Sequence, residues 1–143
     1  GLQSEIFVPI TPPSVWTPVT KELKDMSIAL ATAVGVHKKD QERFNLAGDF
    51  TWRKIDNTWP SSELMVSHGG YDNSDVNKDI NCMFPIDRLN ELAAEGFIGS
   101  VAPFHAGFMG GGGNQEKFKN ETGPAIAKML KEEGVDAVIL TAG

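Results

Sequence analysis

Val135-Asp136-Ala137-Val138-Ile139-Leu140-Thr141-Ala142-Gly143 is the last stretch of the chain. Val138, Ile139 and Leu140 follow one another with no polar alternation, and a charged helical segment reaches them through Gly134. Such a run reads as a strand buried on both faces of a parallel sheet. Thr141-Ala142-Gly143 leaves the strand at its carboxyl end, the edge of an open α/β sheet where ligands and catalytic groups collect. No helix follows to cover the strand. Gly143 is therefore expected to be a truncation point beside or at an active site, and Gly1 in place of Met points to trimming at the other end.

Upstream of this strand, Pro85 is expected to open a helix at its first position, with Ile86, Leu89, Leu92 and Ala93 on one apolar face and Gly96 as its carboxyl cap. Residues 98–104 read as a second strand, followed by His105 and a glycine-rich loop. Asn114 or Thr122 caps the next helix, which turns Ile126, Met129 and Leu130 inward and ends at Gly134; Pro124 marks a second start or a kink. This alternation predicts an α/β fold, a mostly parallel sheet with helices on both faces. In the first half, Met26 to Val34 reads as a buried strand that leaves His37 in a loop on the ligand side. Asp49 to Ile55 alternates like a half-exposed strand, and Leu64-Met65-Val66 is a short strand ending at Ser67-His68-Gly69-Gly70. Residues 1–20 contain Pro9, Pro12, Pro13 and Pro18 among apolar residues. Proline blocks regular helix and central strand, so an extended arm over the core or a partner is expected, within a single domain over 1–143.

Bulk composition narrows the function classes. With 41% hydrophobic and 22% charged residues over 143 positions, the chain has an ordinary globular balance and length enough for a core. A net charge of −6 argues against nucleic acid or an anionic membrane as partner. The single Cys82 excludes an internal disulfide and a thiolate zinc site; its apolar neighbours Met83 and Phe84 predict a buried, inert thiol. Neither a membrane-length apolar segment nor a signal-peptide pattern is present, and a cytoplasmic location is expected. Trp16, Trp52 and Trp59 read as packing residues.

Among the motifs, Gly110-Gly111-Gly112-Gly113-Asn114 lies between a strand and a helix. Glycines there let backbone N–H groups approach a carboxylate or phosphate, and the helix start adds partial positive charge. No Lys-Ser/Thr follows, and the dinucleotide spacing fails at Gln115, so neither nucleotide motif is present. A mobile surface connector is the competing reading. Asp75 to Asp79 imitates a calcium loop, but Ile80 stands where glycine is required and Ile86 where the bidentate Glu belongs. No metal is assigned. His68, after a strand and before two glycines, has a placement suited to orienting a substrate or moving a proton near neutral pH; His105, beside the glycine loop, shares that site if the strands are neighbours. Loop histidines bonded to backbone are the plainer alternative, more so for His37.

The stretches Gly1 to Pro13, Val66-Ser67-His68-Gly69-Gly70-Tyr71-Asp72, Gly107-Phe108-Met109-Gly110-Gly111-Gly112-Gly113 and Gly134 to Gly143 together resemble the selenoprotein B family of amino-acid reductases, which act on glycine, sarcosine, betaine and D-proline. The likeness covers essentially the whole chain and is strongest to the D-proline-reducing branch. It implies reductive cleavage of the ring Cα–N bond of D-proline to 5-aminovalerate in Stickland-type fermentation. It also implies a selenocysteine directly after Gly143, a pyruvoyl-bearing partner subunit that activates the amine, and an electron-donating redox protein. No cofactor is expected on this chain itself, which alone is expected to be inactive. Within such a site His68 and His105 are expected to line the pocket in support of catalysis, and Gly110, Gly111, Gly112, Gly113, Asp72 and Thr141 are expected to bind substrate. The alternatives are a component B-type subunit acting on glycine, sarcosine or betaine, and a non-catalytic ligand-binding or assembly subunit.

Overall fold

A computed structural model describes residues 16–110 and 113–143. The arm expected over 1–20 lies largely outside the described residues; at its end Trp16 is 81% exposed, which corrects its reading as a packing residue. Trp59 and Trp52 are partly buried against the core.

The central strand is β1 (Ser27–Thr32). On one side it pairs in parallel with β5 (Ser100–Val101) and then with β6 (Phe104–Phe108); on the other it pairs in parallel with β7 (Ala137–Thr141), from Ile28–Ala137 to Thr32–Thr141. β3 (Trp52–Asp56) runs antiparallel along the outer edge of β6. β2 (Val36–Lys38) and β4 (Leu64–Val66) form a separate antiparallel ribbon. The fold is thus α/β around parallel strands. Alternation along β1 divides the core between two faces. Ile28 and Leu30 pack with Ile86 and Leu89 of α1 (Ile86–Ala94), whereas Ala29 and Ala31 meet Ile126, Met129 and Leu130 of α3 (Gly123–Glu132), which follows the short α2 (Gln115–Lys117). Helices therefore cover both faces, each large buried side chain contributing about 1.5–3 kcal/mol.

Both helices end where their glycines predict. Gly96 and Gly134 take φ of 75° and 68°. After α1, Gly96 N–H bonds Ala93 O and Phe97 N–H bonds Leu92 O; after α3, Gly134 N–H bonds Lys131 O and Val135 N–H bonds Leu130 O. These paired bonds close the last turn and aim the chain back into the sheet. Pro85 stands one residue before α1, whose entry is capped instead by Asn81 Oδ1 accepting from Asp87 N–H at 3.0 Å.

β7 departs from expectation. Val138, Ile139 and Leu140 are 38%, 41% and 75% exposed, so the strand is not buried on both faces. α1 packs toward β5 and α3 toward β6, on the far side of β1. The helices do not reach across β7, whose outer edge pairs with no strand among the described residues. Cys82 is likewise exposed, against expectation: it lies in a short 3-10 turn and its thiol reaches Asp79 O at 3.1 Å. Ile80 and Phe84 take the inward positions beside it.

Candidate active site at the carboxyl edge of the parallel strands

The carboxyl ends of β1, β6 and β7 are joined into one edge by backbone bonds. Ala33 N–H donates to Thr141 O at 3.0 Å, Gly110 N–H to Ala33 O at 3.0 Å, and Gly35 N–H to Phe108 O at 2.8 Å. Thr141 also donates its hydroxyl to Thr32 Oγ1 at 2.7 Å. Its hydroxyl is thereby committed to fastening the end of β7. β6 and β7 flank β1, so their ends stand about two strand spacings, roughly 10 Å, apart.

The loop after β4 folds over this edge. It is anchored by Gly35, at φ +80°, where a Cβ would lie 2.4 Å from Ser67 O. Only glycine accommodates both the left-handed backbone and that approach. Gly35 O in turn accepts from Ser67 N–H at 3.0 Å. Tyr71 then places its ring beneath the chain's last residue, since a Cβ on Gly143 would fall 2.6 Å from Tyr71 Cε1. The Tyr71 hydroxyl donates to Val34 O at 2.9 Å. Burial, with a smaller push from Cys82, raises it to about 12, so it remains a protonated donor.

His68 stacks on Tyr71 with ring centroids 4.9 Å apart. Its Nδ1 accepts from Gly70 N–H at 2.9 Å, which assigns the proton of the neutral ring to Nε2. Partial burial holds its pKa below the ordinary histidine value. Asn73 donates to His68 O at 2.8 Å, while its buried Oδ1 meets no partner among the described residues. Asp72 is exposed and accepts from Ser74 N–H at 2.9 Å, shaping the turn; the bonds from Ser74 hold its pKa low.

The other two histidines are not loop residues. His37 belongs to β2 and is fully buried. Its Nδ1 donates to Lys38 O at 2.7 Å, so Nε2 accepts from the Ser67 hydroxyl at 2.8 Å. Burial is the main cause of its lowered pKa, opposed by the Lys38 bond. His105 lies within β6 on the face of Phe84, with no exposed surface. Its position follows from the break between β5 and β6. There the Pro103 carbonyl accepts from Asn57 N–H, and Leu30 N–H of β1 is met by His105 Nδ1 at 2.9 Å. Nε2 faces Asn57 Oδ1 at 3.0 Å. Burial lowers its pKa to about 4, against the opposing charge of Asp56. Both ring nitrogens are engaged in the core, and the structure does not bring His105 together with His68.

On the β6 side, Gly110 and Gly113 border a cleft of about 160 Å³ that Asp49, Phe50, Phe108 and Phe118 also line. Gly111 and Gly112 lie outside the described residues. Gly113 rests on the Asp49–Phe50 backbone, where a Cβ would come within 2.6 Å of Asp49 O. Asn114 caps the following helix, Oδ1 accepting from Lys117 N–H at 3.0 Å. Burial pushes the Asp49 carboxyl up, but bonds from Thr51 and Asn45 outweigh it and hold it low. No three His, Cys, Asp or Glu side chains converge as metal ligands among the described residues. The aromatic lining and the Tyr71 seat escaped sequence reasoning, although Tyr71 and Phe108 lie inside the motifs quoted for the family.

Comparison with known proteins bears on this edge. The family model for glycine/sarcosine/betaine reductase selenoprotein B matches residues 3–143. The chain is 71% identical to D-proline reductase subunit gamma of Acetoanaerobium sticklandii over 143 residues, all of this chain and 59% of that protein. It is 37% identical to glycine reductase complex component B subunit gamma of Carboxydothermus hydrogenoformans, over 87% of this chain and 29% of that protein. It is 33% identical to sarcosine reductase complex component B subunit beta of Peptoclostridium acidaminophilum, with the same coverage of 87% and 29%. No solved structure matches.

Proposed function

The chain belongs to the glycine/sarcosine/betaine reductase selenoprotein B family, and from that membership we propose that it forms part of the selenium-bearing subunit of a D-proline reductase. The reaction is reductive cleavage of the ring Cα–N bond to 5-aminovalerate. One observation carries the choice of substrate: identity is 71% to the D-proline reductase subunit against 37% and 33% to the glycine and sarcosine components.

The carboxyl edge suits a reactive group presented next to Gly143. Tyr71 and the Thr32–Thr141 bond would hold it, and the His68 loop would border it. A selenol supplies there a nucleophile that ionises more readily than a thiol. The chain's own residues then have distinct tasks. Gly110 to Gly113 are assigned to the substrate carboxylate, because glycine lets backbone N–H groups come close to an anion. His68, neutral near pH 7, orients the substrate or moves a proton through Nε2. Asp72 shapes the His68 loop, and Thr141 fixes the strand end. His105, with both nitrogens bonded, maintains the sheet behind the site.

The reading includes a pyruvoyl-bearing partner subunit that activates the amine, an electron-donating redox protein, and a cytoplasmic location. Exposed β7 offers a surface for further protein. The test is the native complex carrying this subunit, its intact mass measured, assayed on D-proline, glycine, sarcosine and betaine. Formation of 5-aminovalerate from D-proline by a selenium-containing subunit is expected. Turnover of a glycine derivative but not D-proline would overturn the reading, and unchanged turnover and affinity in His68→Ala would remove His68 from it.

A further inference from the structure

We infer that the cleft beside Gly110 selects substrate by its hydrocarbon ring, with Phe50, Phe108, Met109 and Phe118 forming an apolar seat for a small cyclic amino acid. This rests on the reading that residues 110–113 hold the carboxylate of that substrate; it adds the residues that discriminate between rings. The cleft measures about 160 Å³. Phe108 and Phe118 meet at 5.0 Å between centroids, tilted by 51°.

Phe118 reaches the cleft through an irregularity in its helix. Residues 115–132 are helical throughout, but Phe118–Thr122 forms a π turn. Pro124 has no N–H, and in an unbroken α-helix its ring would press on the carbonyl four residues back. One extra residue in the turn relieves that contact, with Gly123 N–H bonding Phe118 O. Single π turns of this kind recur at functional sites. The Thr122 hydroxyl donates to Phe50 O, tying the helix to the opposite wall. Lys117 Nζ lies 4.8 Å from the centroid of the Phe50 ring, and Gly113 sits on the backbone of residues 49–50. Phe50, Phe108, Gly113 and Phe118 are therefore fixed to one another, as size selection requires. A ring occupant also fits the relatives: the chain is far nearer the D-proline protein than the components named for glycine and sarcosine, which carry no ring.

The experiment uses the complete reductase complex and measures kcat and KM for D-proline and its four- and six-membered ring homologues. Each ring methylene withdrawn from water is expected to change KM about fourfold, whereas kcat also reflects the strain released when the ring opens. The four-membered ring should therefore be weaker by about that factor, and the six-membered ring rejected by overfilling. Phe118→Ala should raise KM for D-proline about tenfold or more and relax the rejection of the larger ring. Phe118→Leu, which keeps an apolar wall, should recover much of the loss. An active complex with the same KM in Phe118→Ala and Phe118→Leu, or a wild type indifferent to ring size, overturns the inference while leaving D-proline reduction intact. A complex that reduces glycine derivatives but not D-proline overturns the underlying reading and this inference with it.

Discussion

Acidification tests the placement of His105. In an unfolded chain a histidine titrates near 6.5, whereas burial in β6 lowers His105 to about 4. The folded state therefore binds this proton later than the unfolded state as pH falls. Stability from the group is fully present above pH 6.5 and is lost progressively down to about pH 4, below which the loss levels off. With those two values the loss is about 2 kcal/mol at pH 5 and about 3 kcal/mol at pH 4. Against a typical stability of about 5–15 kcal/mol this is a large share. Urea unfolding of the chain at a series of pH values measures it. Because His37 and His68 also have lowered values, the assay compares wild type with His105→Gln, which removes one titrating site. The variant is expected to be weaker at pH 7 by about 1–3 kcal/mol, since Leu30 N–H and Asn57 lose well-placed partners. Its stability should nevertheless fall less between pH 6.5 and 4. Equal pH dependence in the two proteins would refute the buried, neutral histidine, as would a His105 ring proton titrating near 6.5 by NMR.

Two further substitutions probe the edge. Gly35→Ala imposes a left-handed alanine, costing about 1–2 kcal/mol before the clash with Ser67 O is counted; a thermal midpoint equal to wild type would show that the His68 loop is not anchored there. Leu140→Lys, at a side chain 75% exposed, should leave stability within about 0.5 kcal/mol yet weaken assembly with partner subunits, read by native mass spectrometry; intact assembly would remove β7 from the interface.

What the sequence disclosed has local causes. Gly96 and Gly134 announce helix ends because the capping bonds lie within one turn of them, and the apolar run of β1 announces a central strand wherever its partners come from. For His37 and His105 the sequence lacks the non-local information that places them. Residues 98–104 read as one strand with His105 beyond it, but Pro103 divides that strand, and the residue needed to meet Leu30 N–H is His105 itself. His37 reads as a loop residue because nothing around it shows that Leu64–Val66, itself legible as a strand, pairs with it; in register His37 meets Met65, 28 residues on. β7 was read as buried from its own side chains, although burial depends on which side of β1 the helices lean.

The same distinction explains why the candidate site was only half legible. Glycines at 110 and 113 and histidine at 68 are conspicuous residue types in conspicuous places. Tyr71 becomes significant only when residue 143, 72 positions later in the chain, is laid upon it, and Phe118 only when Pro124 forces the helix to take an extra residue. Pro124 is visible in the sequence as a second start or a kink; that its missing N–H and its ring are accommodated by a π turn is visible only in the structure.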